Sequence, residues 1–162
     1  MKTLGIYFSK TGVTKDVMHQ LSESIDIDII DVKNTQKIDF ESYERMIIGT
    51  PVYAGMIPGK MARVIRENQS QFLSKPTYIY TVGGEKPNDY QKLSELSKID
   101  SMIFDNAKNV IYAGGEFRYE ALSFFPRLLL KTVTKRKMKN SPSKELPSLD
   151  KDAINDFIKA LK

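Results

Sequence analysis

Five short apolar runs alternate with stretches of helical periodicity along the chain, and this alternation restricts its fold more than any other feature. The runs predict strands at 2–8, 25–32, 46–49, 77–82 and 109–113. Strands that alternate with helices form a parallel sheet covered on both faces, because each crossover helix returns over the sheet. The sequence therefore predicts an α/β three-layer sandwich whose five-stranded parallel sheet has the doubly wound order 2-1-3-4-5.

The stretches between and after these runs carry apolar residues at helical spacing, which predicts five helices. They are expected at 14–21, 58–72, 88–103, about 121–139 and 150–161. Neither a repeat nor an interdomain linker interrupts the 162 residues. A chain of this length fits one domain, so we predict a single domain over 1–162 with the basic extension of about 121–162 packed on it.

The composition excludes several kinds of active site. The chain has no cysteine, which rules out disulfides, iron–sulfur clusters and thiolate chemistry. Its single histidine, His19, argues against a histidine-rich metal site or a Ser-His-Asp triad, so no metal is expected. The first apolar run breaks at residues 9–12, which argues against a signal peptide. No uncharged apolar stretch reaches the length of a membrane span, and a cytoplasmic location is expected.

The loop after the first predicted strand has the chemistry of an anion site. A helix begins near its end, so unpaired N–H groups and the positive end of the helix dipole face the loop. Gly12 lets the backbone approach a ligand closely, and three hydroxyl groups add donors. The loop is neither a Walker loop nor Gly-x-Gly-x-x-Gly, and an ordinary βα turn is the alternative. Its residues are Ser9, Lys10, Thr11, Gly12, Val13 and Thr14.

Two further loops are expected beside the first one. In a sheet of this order a ligand binds at the carboxyl ends of the strands, where the loops after strands one, three and four meet. Both additional loops are rich in glycine, threonine or proline. The candidate binding residues in them are Thr50, Pro51, Val52, Tyr53, Ala54, Gly55, Val82, Gly83 and Gly84.

The pattern Ser9-x-Thr11-Gly12-x-Thr14 after a first strand resembles the FMN phosphate loop of flavodoxins. The resemblance implies that FMN is the cofactor and that residues 9–14 hold its phosphate through backbone N–H and hydroxyl groups. It implies that the loop 50–55 flanks the isoalloxazine ring, with Tyr53 stacked on it and the peptide at Gly55 accepting a hydrogen bond from reduced N5. The alternative is a half-exposed loop aromatic beside a plain turn.

The loop after the fourth strand departs from classical flavodoxins, because no tyrosine or tryptophan lies directly in it. One face of the flavin is therefore expected to be open to a substrate. After the fifth strand, Glu116 and Arg118 are candidate substrate-binding residues, since an arginine fork suits a carboxylate. The alternative for Arg118 is an ordinary surface arginine.

The net charge of +5 is concentrated at the C-terminal end, where residues 118–162 contain 11 Lys/Arg and 5 Asp/Glu. Arg127, Lys131, Lys135 and Lys139 are spaced four apart and share one stripe of a predicted helix. A basic amphipathic helix is typical of a peripheral membrane contact on the inner face of the membrane. A docked helix with a solvated basic face is the alternative, and no nucleic-acid partner is expected.

The stretch from Gly114 to Leu161 is similar to the flavodoxin-domain family that contains the menaquinone-dependent protoporphyrinogen oxidases. The resemblance implies an FMN-dependent oxidoreductase that takes electrons from a porphyrinogen and passes them to a quinone. The flavin would carry the redox chemistry, so no catalytic acid or base is assigned to the protein. The alternatives are a flavodoxin-type electron carrier without its own substrate and a non-enzymatic module that has lost FMN.

Overall fold

The computed structural model describes residues 1–35, 37–118 and 147–162. Its strands are β1 (Thr3–Tyr7), β2 (Asp28–Asp31), β3 (Arg45–Pro51), β4 (Thr77–Val82) and β5 (Asn109–Tyr112). Its helices are α1 (Val13–Ser22), α2 (Gly59–Glu67), α3 (Gln69–Ser74), α4 (Tyr90–Ser97), α5 (Met102–Asp105) and α6 (Lys151–Leu161). The predicted basic stripe at 127–139 lies outside the described residues.

The five strands form one parallel sheet in the order β2-β1-β3-β4-β5, which confirms the predicted topology. β1 lies between β2 and β3, so that Ile6 is in register with Ile30 on one side and Ile48 on the other. Because β1, β3 and β4 are neighbours, the loops at their carboxyl ends follow one another along one edge of the sheet.

Alternate residues of the central strands point to opposite faces, and each face has its own apolar core. Leu4, Ile6 and Ile48 pack on the side covered by α2–α5. Tyr7 and Ile47 belong to the opposite core, which includes the apolar stripes of α1 and α6. The sheet is therefore the middle layer of a three-layer sandwich.

Two predicted helices are each divided in the structure. The helix expected over 58–72 breaks at Asn68, whose side-chain amide donates to the Val64 carbonyl at 2.9 Å and competes with the helical pattern. The helix expected over 88–103 stops at Lys98, which adopts the left-handed conformation that ends helices. Leu96 on α4 is 47% exposed.

Two predicted strand boundaries also differ from the structure. The second strand is shorter than 25–32 and covers only Asp28–Asp31. The third is longer than 46–49, because the backbone pairing with β4 continues through Thr50 and Pro51. These two candidate binding residues therefore belong to the end of β3 rather than to the loop.

A buried arginine joins the two ends of the described chain. Arg45, the first residue of β3, is only 7% exposed. Its Nε donates to the Thr3 hydroxyl at 3.0 Å, and its Nη1 donates to the carbonyl of Leu161 at the end of α6. A cation at a helix C-terminus is stabilised by the helix dipole, so Arg45 fastens α6 against the sheet.

We expect Arg45→Ala to lower the free energy of unfolding by about 2–4 kcal/mol, because it removes two buried hydrogen bonds from a charged donor. Urea unfolding followed by circular dichroism measures the loss. Arg63→Ala is the matched control, since Arg63 is exposed on α2 and such a change costs less than about 0.5 kcal/mol. Equal stabilities for the two variants would refute this role of Arg45.

None of the helices within residues 1–35, 37–118 and 147–162 is long and apolar enough to cross a membrane.

Candidate functional site

The carboxyl ends of β1, β3, β4 and β5 are tied together by backbone hydrogen bonds. The Phe8 N–H donates to the Gly49 carbonyl at 3.1 Å, and the Val52 N–H donates to the Val82 carbonyl at 2.8 Å. The Gly83 N–H then donates to the carbonyl of Gly114 at 3.0 Å. The loops predicted to share one ligand therefore lie next to each other in the order that the sheet imposes.

The loop after β1 has the geometry of an anion cradle at the start of α1. The buried Ser9 hydroxyl accepts a hydrogen bond from the Gly12 N–H at 2.9 Å, which closes the turn. Gly12 caps the helix with a φ of 95°, a conformation that favours glycine. The N–H groups of the first turn have no partner within the helix. Lys10 is exposed, whereas Val13 and Thr14 are buried.

Tyr80 on β4 contacts the end of this loop. The sequence did not predict this contact. The ring of Tyr80 is completely buried, and its hydroxyl donates to the Thr14 carbonyl at 2.7 Å. Burial raises the pKa of Tyr80 well above its ordinary value, so the hydroxyl stays protonated and remains a donor. Alternation along β4 places Tyr80 on one face of the sheet, but no pattern in the sequence names its partner.

The loop after β3 ends in a tight two-residue turn. The N–H and carbonyl groups of Tyr53 and Met56 bond reciprocally at 2.9 and 3.0 Å. Between them, Ala54 and Gly55 have φ values of 49° and 75°. Positive φ at both central positions is the signature of a type I′ turn. The peptide between Ala54 and Gly55 is therefore held at the rim of the site by a hairpin.

Ala54 is strained in this turn, since a left-handed conformation costs a non-glycine residue about 1–2 kcal/mol. Glycine relieves that strain and costs about 0.5–1 kcal/mol in backbone entropy. We expect Ala54→Gly to raise the free energy of unfolding by about 0.5 kcal/mol, measured by urea unfolding. Ala160→Gly, on the exposed face of α6, is the control and should lower stability by a similar or larger amount. A loss in both variants would contradict the strain at Ala54.

A cavity of about 490 Å³ lies between the loops after β3 and β4. Its walls include Val52, Ala54 and Gly55 from one loop and Gly84 and Glu85 from the other. The remaining walls come from residues 86–89 and from Lys92, Leu93 and Leu96 of α4. The predicted second and third loops thus border one cavity.

Tyr53 lies outside the walls of this cavity. It is 43% exposed and borders a separate hollow of about 440 Å³, together with Met56 and Leu96. Partial burial raises the pKa of Tyr53. Its predicted stacking on a flavin ring stays a prediction, and it requires the side chain to turn toward the cavity.

The strand β5 supplies a wall behind the loop after β4. The hydroxyl of Tyr112 donates to the Gly83 carbonyl at 2.7 Å. Burial, followed by the negative charge of Glu85, raises the pKa of Tyr112. Gly115 presses so closely on this loop that a Cβ added to it would lie 2.1 Å from the Gly83 oxygen.

Glu116 and Arg118, the candidate substrate residues, lie beside the loop after β1 rather than among the residues that line the 490 Å³ cavity. Arg118 Nη1 is 2.7 Å from a carboxylate oxygen of Asp16 in the first turn of α1. Its Nε and Nη2 donate to Glu116 at 2.9 and 2.7 Å. A Cβ added to Gly12 would lie 3.1 Å from Nη1, so the guanidinium is against the anion cradle.

A doubly wound parallel sheet with an anion cradle after β1 and a cavity between the next two loops defines an α/β protein of the flavodoxin-like class. The model of the flavodoxin domain family matches residues 4–144 of the sequence. The chain belongs to the flavodoxin domain family, which confirms the family predicted from its motifs.

The relatives found by sequence and by structure are distant. The protoporphyrinogen IX dehydrogenase [quinone] of Escherichia coli K12 is 19% identical over 144 residues, which cover 83% of this chain and 80% of that protein. The Trp repressor binding protein of Bacillus subtilis superposes with a TM-score of 0.55 at 17% identity and covers 99% of each chain. A flavoprotein of Lactobacillus acidophilus, solved in complex with FMN, has a TM-score of 0.53 at 15% identity, covering 68% of this chain and 92% of its own. The two structural likenesses establish the fold.

Proposed function

We propose that this protein binds FMN across the loops after β1, β3 and β4 and acts as an oxidoreductase that passes electrons from a porphyrinogen to a quinone. The observation that carries the proposal is that the anion cradle at α1 and the two loops that border the cavity all lie at the carboxyl edge of one sheet. FMN is the cofactor predicted from the sequence, and membership of the flavodoxin domain family confirms that prediction.

The donor set fits the phosphate end of FMN. Residues 9–14 would hold the phosphate through the N–H groups of the first turn of α1, with hydroxyl groups adding further donors. The buried Ser9 keeps the turn closed, and Tyr80 holds the helix start against the sheet. The cradle is therefore formed by contacts within the protein before any ligand arrives.

We assign the 490 Å³ cavity to the ring end of the cofactor. FMN, when bound, supplies the hydride and electron chemistry. The backbone of Val52 and of Gly83–Gly84 would border the ring, and the type I′ turn would present the peptide at Gly55 to its edge. The loop after β4 carries no aromatic residue directly, which supports an open face for a substrate.

The porphyrinogen and the quinone enter the proposal through the distant relative from Escherichia coli, whose name states both. The decisive experiment is anaerobic oxidation of protoporphyrinogen IX by the purified chain with FMN and a water-soluble menaquinone analogue. We expect porphyrin to form only when chain, FMN and quinone are all present. If FMN binds but no quinone supports turnover, the enzyme proposal is refuted and the flavodoxin-type carrier is favoured.

Contact with an anionic membrane surface is the second part of the proposal, and it rests on the charge pattern at Arg127, Lys131, Lys135 and Lys139. These residues lie outside the described part of the chain. Sedimentation with vesicles containing anionic lipid tests it. We expect binding that weakens as salt rises. Equal binding to neutral vesicles, or none to either, would contradict a contact made by the basic stripe.

A further inference from the structure

We propose that Arg118 binds the phosphate of the cofactor and makes the site select FMN over riboflavin. The inference rests on the proposed FMN site and adds to it a residue from the far edge of the sheet. It replaces the expectation that Arg118 binds a substrate carboxylate.

The route of the chain is the first observation. Arg118 follows β5, the edge strand, whereas the anion cradle follows β1. Strands β3 and β4 lie between them, so residues 113–118 must cross the carboxyl edge of the sheet to reach Gly12. Backbone contacts fix the start of this crossing. The Gly115 N–H donates to the carbonyl of Ser148 at 3.2 Å, and Gly115 packs on the backbone of Gly83.

The second observation is how the guanidinium is held. Carboxylate oxygens of Glu116 and Asp16 lie 2.7 Å from Nη2 and Nη1, respectively. Hydrogen bonds to Glu116 and Asp16, together with their charges, raise the pKa of Arg118. Among the described residues, these contacts take up three of the five N–H donors of an arginine. A planar guanidinium held beside the cradle in this way is already oriented, which reduces the entropy lost when a phosphate is bound.

The chemistry of the group favours a phosphate. An arginine fork presents parallel N–H donors that match two phosphate oxygens, and such charge-assisted hydrogen bonds are about twice as strong as neutral ones. A Cβ added to Gly12, the N-cap residue of α1, would lie 3.1 Å from Arg118 Nη1, so this nitrogen is next to the start of the helix. A phosphate in the cradle would therefore compete with Asp16 for the same nitrogen.

Lys15 provides a built-in comparison. It lies in the first turn of α1 and carries the same charge, but its side chain is exposed. An exposed charge in water is strongly screened, so the Lys15 side chain should contribute little to affinity. We therefore expect the effect to depend on the position of Arg118 and not on positive charge in general.

The test is to measure the dissociation constants of FMN and riboflavin by fluorescence quenching for the unaltered chain, Arg118→Leu and Lys15→Leu. We expect Arg118→Leu to weaken FMN binding about 10- to 100-fold and to change riboflavin binding less than about two-fold. Lys15→Leu should weaken FMN binding no more than about three-fold. Equal losses for both flavins in Arg118→Leu, or no loss for FMN, would overturn the inference.

Two more variants separate recognition from folding. Asp16→Asn removes a competitor for Nη1 and a negative charge near the phosphate, so FMN should bind a few-fold tighter. When Arg118→Leu is already present, Asp16→Asn should increase FMN affinity by less. An increase of the same size in both backgrounds would contradict competition between Asp16 and the phosphate for Arg118. Arg118→Lys keeps the charge, and it should retain part of the preference for FMN. If the unaltered chain binds FMN and riboflavin equally well, only the proposed role of Arg118 is refuted. If it binds neither flavin, the proposed function is refuted as well.

Discussion

Replacing Gly12 with aspartate is expected to weaken FMN binding more than about 100-fold. The new carboxylate would lie at the N-cap of α1, within the loop that we propose to hold the phosphate. Two like charges about 5 Å apart at an effective dielectric of 20 repel by about 3 kcal/mol, which corresponds to more than a 100-fold loss of affinity. The added carboxylate would also lie next to Arg118, since a Cβ at Gly12 comes within 3.1 Å of Nη1. It would thereby take the partner that we assign to the phosphate.

The same substitution should lower the free energy of unfolding only modestly. A side chain at the φ of 95° costs about 1–2 kcal/mol, and the position is partly exposed. Gly59→Ala is the matched control, because a Cβ there meets no atom within 4 Å. It should leave FMN binding unchanged and stabilise the start of α2 slightly. Tight FMN binding by Gly12→Asp would show that the phosphate lies elsewhere.

The second large effect is expected at Gly115, where the damage should reach the fold as well as the ligand. A Cβ there would lie 2.1 Å from the oxygen and 2.7 Å from the carbonyl carbon of Gly83. Both atoms belong to backbone, so no rotamer change can relieve the clash. We expect Gly115→Ala to lower the free energy of unfolding by about 2–3 kcal/mol and to weaken FMN binding, because it moves the loop that walls the cavity.

Urea unfolding without ligand and FMN titration on the same preparation separate the two glycines. Gly12→Asp should lose binding with little loss of stability, whereas Gly115→Ala should lose both. An unchanged unfolding midpoint in Gly115→Ala would mean that the segment after β5 does not press on the loop after β4.

The topology and the three loops could be predicted because their signals are local. Apolar runs mark the strands, and their alternation with helices dictates a parallel sheet, which in turn brings the loops to one edge. The anion cradle was visible because Gly12 and the hydroxyl residues adjoin a helix start. The breaks at Asn68 and Lys98 were missed, because each depends on one residue leaving helical geometry inside a periodic apolar pattern.

The contacts that complete the site could not be predicted, since they join residues far apart in the chain. The hydroxyl of Tyr80 on β4 bonds to Thr14 on α1. Arg118, which follows the edge strand β5, forms an ion pair with Asp16 on α1. Arg118 was expected near a substrate because its position after β5 suggested the outer rim of the pocket. Only the path of the chain over the carboxyl edge brings it beside Gly12 and Asp16 at the start of α1.

The most direct test of the proposed site is a fluorescence titration of FMN with the full chain, accompanied by circular dichroism to verify folding. We expect saturable quenching with one FMN per chain, weaker binding of riboflavin, and loss of the FMN signal in Gly12→Asp. If a correctly folded chain leaves FMN fluorescence unchanged, these loops do not form a flavin site.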